Sequence, residues 1–168
     1  MFSFNDLMVI ASKCEMLYLS NVVIMNNNEI VPEKEEAAVS LEALFKALPN
    51  VKFFRYYLPK NSVNIITAKT AEQLFKIPHF LCLDRFEMNE IPGCFDIKSF
   101  YGHIKKNKKT LIFLDFSDQI PDEYETRLQT IVEEILGTEN REYKVPRIYF
   151  SGITDSFDDK MRDLYNQN

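Results

Sequence analysis

Four aspartates occupy positions from which carboxylates could act together: Asp84, Asp115, Asp118 and Asp155. Each follows a predicted apolar strand, and in open parallel sheets ligands and catalytic groups gather at the carboxyl ends of strands. Oxygen ligands converging from several strand ends suit Mg²⁺, so the four define a candidate Mg²⁺ site. Asp115 is its centre and, if the chain is an enzyme, its catalytic carboxylate. It directly follows Leu111-Ile112-Phe113-Leu114, and a carboxylate so close to a buried run must be paired or hydrogen-bonded to offset desolvation. The competing reading is that Asp starts turns and caps helices: Asp118 precedes a helix opened by Pro121, and Asp155 precedes the last helix.

Other residues carry weaker chemical signals. Cys94 and His103, with His79 as a second base, could form a nucleophile and base, but their spacing matches no local signature and a reactive thiolate needs an electropositive setting. Cys82 lies in an apolar run and reads as core. Lys105, Lys106, Lys108 and Lys109, with Arg85 or Lys98, could bind phosphate or an acidic partner. They also sit where cations favour the negative end of a helix, which explains them structurally. Phe53-Phe54-Arg55-Tyr56-Tyr57 sends adjacent rings to opposite faces of a strand, so either both faces are covered or one presents aromatics to a partner.

The elements that must position these residues follow from periodicity and turn chemistry. Leu7, Ile10 and Ala11 predict a short opening helix, and Met16–Leu19 with Val22–Met25 predicts strand. Asn26-Asn27-Asn28 breaks it. Pro32 with Glu33, Glu35 and Glu36 predicts a helix start, continued by Leu41, Leu44, Phe45 and Leu48 and stopped at Pro49. Phe53–Leu58 and Val63–Ile66 read as strands that could form a hairpin, Thr67 as the cap of a helix through Ile77, and Phe80–Leu83 as a strand closed by Asp84. Asp96 caps a helix with Ile97, Phe100, Tyr101 and Ile104 buried. Leu111–Leu114 reads as a strand covered on both faces. Pro121 opens a long helix with Tyr124, Leu128, Ile131, Val132, Ile135 and Leu136 in its stripe, ended by Gly137 as a left-handed cap. Arg147–Phe150 is a strand running into Ser151, and a last helix begins near Ser156, where Ser156 and Asp159 resemble a capping box. The alternation predicts an α/β fold, three-layered, with a mostly parallel sheet and helices on both faces. One domain spans residues 1–168. Its alternating core is 51–168, and 1–50 is an extension or an edge of the sheet.

Composition bounds the function. The chain of 168 residues is 46% hydrophobic, with fourteen Phe and eight Tyr, so it can build a core from large rings and is not of the disordered class. Only four glycines argue against a Gly-rich nucleotide cradle. A net charge of −5 supplies no field for nucleic acid. Three cysteines without a C-x-x-C pair suggest neither a disulfide framework nor zinc, and suit the reducing cytoplasm. No stretch is apolar for long enough to cross a membrane, and the N-terminus lacks the pattern of a signal peptide.

Over Val63 to Phe150 the order of elements resembles the core of P-loop ATPases of the AAA+ type, with Leu111-Ile112-Phe113-Leu114-Asp115 similar to a Walker B strand. The counterpart of the Walker A loop, Val63–Thr70, keeps Lys69-Thr70 but lacks both glycines, and Phe116 replaces the acid after Asp115. The resemblance therefore implies a non-hydrolysing relative. The same half also resembles a response-regulator receiver domain, with Asp115 as the phosphoacceptor and Ser151 ending the next strand. Thr67-Ala68 stands where the acidic pair belongs, which implies a retained scaffold rather than phosphotransfer.

Two expectations result. The first is a non-catalytic accessory or inhibitory protein that binds another protein, through the Phe53–Tyr57 strand or an acidic surface, with no cofactor. The second is an enzyme that uses Mg²⁺ at Asp115 for nucleotide binding or phosphoryl transfer, with Asp84, Asp118 and Asp155 as helpers.

Overall fold

The computed structural model describes residues 2–26, 38–60 and 64–168. In chain order the elements are β1 (Phe2–Ser3), α1 (Phe4–Ala11), β2 (Met16–Ser20), β3 (Ile24–Met25), α2 (Leu41–Ala47), β4 (Phe53–Tyr57), α3 (Thr70–Leu74), β5 (Arg85–Ile91), α4 (Ile97–Ile104), β6 (Leu111–Phe116), α5 (Asp122–Gly137), β7 (Arg147–Tyr149) and α6 (Asp155–Asn166). The main sheet has five strands, all parallel, in the order β2-β4-β5-β6-β7; β1 pairs with β3 beside it. The fold is thus α/β with a parallel sheet, and the N-terminal segment supplies its edge strand, β2.

The strands line up in chain order without reversal. Right-handed connections between such strands bring successive helices to the same face. The packing agrees. Phe86 of β5 meets Phe45 of α2, Phe80 and Phe100 of α4 at ring-centroid distances of 6.0, 5.1 and 5.9 Å, and Phe116 of β6 meets Tyr124 of α5 at 5.6 Å. Leu17, Phe54, Tyr56, Phe86, Met88, Ile112, Leu114 and Ile148 are the inward residues of the five strands, all buried. α6 covers the β6–β7 half of the opposite face, which it meets through an ion pair between Asp158 and Arg147 at 3.2 Å. Three layers result, with α2, α4 and α5 on one side of the sheet and α6 on the other.

Local chemistry sets the element boundaries. The Asp96 carboxylate accepts the Ser99 N–H at 3.1 Å and the Ser99 hydroxyl at 2.6 Å, starting α4 as predicted. Ser40 caps α2 and Ser3 caps α1 in the same way. In β5, Glu90 has φ of 60° and the register with β6 shifts between Met88 and Ile91. This bulge lets Met88 and Ile91, three residues apart, both face inward.

Several sequence expectations need correction. Of the strand expected over Val63–Ile66, Val63 lies outside the described residues and Asn64 and Ile65 form a turn; β4 pairs with β2 and β5 on its two sides, so among the described residues it makes no hairpin. Phe80–Cys82 is a short 3-10 helix, and the strand begins only at Arg85. A four-residue apolar run fits either geometry, and here Leu81 and Cys82 are exposed, which also removes Cys82 from the core. The helix expected over Thr67–Ile77 shortens to α3. Gly137 is the last helical residue of α5 and no glycine has positive φ; Thr138 ends the helix in extended conformation, while the Arg141 guanidinium donates to the Ile135 carbonyl at 2.6 Å. At α6 the capping position is Thr154, not Ser156. The helix start expected at Pro32 lies outside the described residues.

The order of elements behind the ATPase and receiver resemblances is therefore altered. Among the described residues three strands rather than four lie between positions 63 and 150, and their order does not reverse. A doubly wound sheet binds ligands in the crevice made by such a reversal, and the described strands of this sheet make no such switch point.

Candidate functional site

Strand alternation writes two different surfaces onto one sheet. On the outward face stand Met16 and Tyr18 of β2, Phe53, Arg55 and Tyr57 of β4, Arg85, Glu87 and Asn89 of β5, Phe113 and Asp115 of β6, and Arg147 and Tyr149 of β7. α6 lies over the β6–β7 half. Across the β2–β4 half the large side chains remain in solvent, with Met16 at 52% exposure, Tyr18 at 57% and Tyr57 at 39%.

The centre of this face is a charge cluster. Glu87 is only 3% exposed and is the sole buried charged residue among those described. Arg55 and Arg85 both donate through Nε to its two carboxylate oxygens, from β4 and from two residues earlier on β5. A carboxylate out of water needs this pairing, since an unpaired buried charge is strongly destabilising. The Arg55 guanidinium lies 5.5 Å from the centre of the Tyr18 ring, and Arg147 at the same distance from Phe113. A groove of about 340 Å³ runs between Arg55, Arg85, Arg147, Asn89 and Tyr165. The Tyr165 hydroxyl and the Arg147 Nε are buried beside it with no hydrogen-bond partner among the described residues. Burial pushes the Tyr165 phenol up, Glu87 adds to the rise, and Arg85 and Arg147 oppose it.

The four predicted metal ligands do not share one place. Asp84 precedes β5, at the amino end of the sheet, and pairs with Lys109 at 3.1 Å. Asp155 is the first residue of α6. Asp115 lies near the carboxyl end of β6, half-buried, where the Asn89 amide donates to it at 3.1 Å. Burial raises its pKa, with Glu90 and Asp118 adding to the effect, so Asp115 and Asp118 do lie within electrostatic reach of each other. Among the described residues no group of three or more His, Cys, Asp or Glu side chains is placed to hold a metal ion.

The remaining candidates are apart. The Cys94 thiol is raised by burial and points at the Ile66 carbonyl at 3.6 Å. His103 stacks on Phe75 at 4.1 Å, and His79 lies 6.2 Å from Phe45. Burial lowers the pKa of both histidines. Lys105, Lys108 and Lys109 pair with Glu134, Glu142 and Asp84 respectively, as a solvated helix end would. Phe53–Tyr57 divides between the two faces: Phe54 and Tyr56 are core, while Arg55 and Tyr57 face solvent.

Sequence reasoning missed Glu87 and its two arginines as a unit. Their signal was present: Arg85-Phe86-Glu87-Met88-Asn89 alternates polar and apolar with period two, the mark of a half-buried strand. Placing the strand at Phe80–Leu83 left that alternation unread.

No protein-family model matches the sequence, no curated protein matches it, and no solved structure matches the fold. Among the described residues no helix is long and apolar enough to cross a membrane.

Proposed function

We propose that the protein acts without catalysis, as an accessory or inhibitory module that docks another protein on the outward face of strands β2, β4 and β5. The observation that carries this reading is the exposure of Met16, Tyr18 and Tyr57 around Arg55 on the β2–β4 half of the sheet face, beside the half that α6 covers. Tyr, Met and Arg are enriched in protein interfaces and Tyr and Arg among their energetic hot spots, and rings fixed on strands lose little entropy on binding. An Arg held by Glu87 and Tyr18 is likewise preorganised. The negative net charge of −5 argues against a nucleic-acid partner.

Affinity capture from the native host with the wild-type protein and with a Tyr18→Ser/Tyr57→Ser variant tests this. A protein retained by the wild type and lost by the variant, with the variant's melting temperature unchanged, supports the reading. Equal capture by both would move the interface elsewhere, with the acidic faces of α5 and α6 next to be altered.

The competing reading is a Mg²⁺-dependent activity centred on Asp115. Its support is the proximity of Asp115, Asp118 and Glu90 at the carboxyl edge of the sheet.

A further inference from the structure

On the outward face two arginines converge on one buried carboxylate. Glu87 sits mid-strand in β5, the central strand, and is buried because Arg55 and Arg85 lie over it. Each guanidinium spends its Nε on Glu87, and Arg85 also lies within hydrogen-bonding reach of the Tyr165 hydroxyl, whose pKa it lowers. The side chains of Arg55 and Arg85 are still 51% and 42% exposed. A guanidinium has five N–H donors, so Arg55 keeps its terminal nitrogens and Arg85 those not turned to Tyr165, in the planar arrangement that matches a carboxylate.

Charge counting selects the ligand. Two guanidinium cations over one carboxylate leave one unit of positive charge. Two nearby pairs cancel, Lys52 with Glu15 at 2.8 Å and Arg147 with Asp158 at 3.2 Å, and Asp115 is set apart toward the carboxyl edge. A single negative charge balances what is left, whereas a phosphate monoester brings about −1.5 to −2. Asp115, held by Asn89 toward the carboxyl edge, repels anions from that side and confines a carboxylate to the neighbourhood of Arg55 and Arg85. Beside the clamp, Met16, Tyr18 and half-buried Phe53 form an apolar ledge, with a smaller hollow between ledge and clamp.

We infer that Arg55 and Arg85, braced by Glu87, are the anchor for an acidic side chain of the docked protein, an Asp or Glu adjacent to an apolar residue that rests on Met16 and Tyr18. This rests on the docking face proposed above.

Selection of a random peptide display library on the immobilised full chain tests it. The expected result is enrichment of peptides that carry Asp or Glu next to a large apolar residue. Replacing that acid by its amide, or introducing Arg85→Gln or Arg55→Lys, should weaken binding by about tenfold or more, and added salt should weaken it further. Arg55→Lys retains a cation over Glu87 and removes only the fork, which guards against loss of folding. Peptides that lack acids yet lose binding on Tyr18→Ser would overturn the anchor and leave the docking face standing. Peptides indifferent to Tyr18, Arg55 and Arg85, or no selected peptides at all, would overturn both. Tighter binding when phosphoserine replaces the acid would overturn the assignment to a carboxylate.

Discussion

The two faces of the sheet are built from the same strands, yet they meet different solvents. On β5, Phe86 and Met88 point into a layer of rings and are fully buried, while Arg85 and Asn89, their immediate neighbours, face a groove and are partly in water. The inward face is redundant: Phe86 alone touches rings from α2, β4, the 3-10 turn and α4. The outward face is sparse, and its single buried charge depends on two side chains that are themselves half in solvent. One face commits its residues to packing, while the other leaves large side chains in water.

The comparison breaks most visibly at Phe86. Phe86→Ala removes a ring at the meeting point of four others, and large-to-small changes at such sites cost about 3–5 kcal/mol. That is a large share of the roughly 5–15 kcal/mol available to a domain. Urea unfolding should show a lower midpoint or a chain that no longer folds, and a small shift would mean the ring layer is looser than its distances imply. Next in size is Glu87→Ala. Removing one member of a fully buried ion pair costs about 3–5 kcal/mol, but here the stranded arginines can turn to water, so about 1–3 kcal/mol is expected. A loss as large as that of Phe86→Ala would show that the outward face carries as much of the fold as the inward one.

What the sequence revealed divides along the same line. The inward face was legible because apolar periodicity reports burial directly: α4, α5, α6, β6 and β7 appear close to where Asp96, Pro121, Leu111 and Arg147 predict them. The edge role of β2 and the strand order were not legible, because pairing between Met16 and Phe53 is a long-range choice that local pattern does not encode. Strand order in turn decides whether carboxylates at strand ends converge. Asp84 was read as closing a strand and instead precedes one, which places it across the sheet from Asp115. The Arg55–Glu87–Arg85 clamp joins residues 32 positions apart in sequence and needed the register Arg55↔Glu87 to be seen.

Asp115 gives a smaller effect that depends on pH. Its folded-state pKa is raised, mainly by burial. An acid with a raised folded-state pKa favours the fold below its unfolded pKa, and that contribution disappears as pH rises through the folded pKa. At neutral pH the ionised Asp115 therefore carries a desolvation cost that the Asn89 hydrogen bond and Arg147 only partly offset. Asp115→Asn, which can still accept from Asn89, should melt higher than the wild type at pH 7, by less than about 1 kcal/mol because solvent screens a half-exposed carboxylate. The difference should shrink as the pH is lowered past the wild-type pKa. Melting with added Mg²⁺ separates the two functional readings: Mg²⁺ stabilisation of the wild type that Asp115→Asn abolishes would bring the metal-dependent reading forward, and its absence would weaken it.

The smallest effect on stability is expected where the effect on binding should be among the largest. Tyr18 is 57% exposed, and its described partner is the Arg55 guanidinium 5.5 Å from its ring. Tyr18→Ser should change unfolding free energy by no more than about 0.5 kcal/mol, as surface substitutions do. An aromatic anchor within an interface nevertheless loses about 2 kcal/mol or more of binding when truncated. A variant that unfolds like the wild type but no longer retains the partner would therefore show that this ring is held in water for use by another molecule. If Tyr18→Ser instead unfolds several degrees lower, the ring braces Arg55 over Glu87, and the outward face belongs to the fold rather than to a partner.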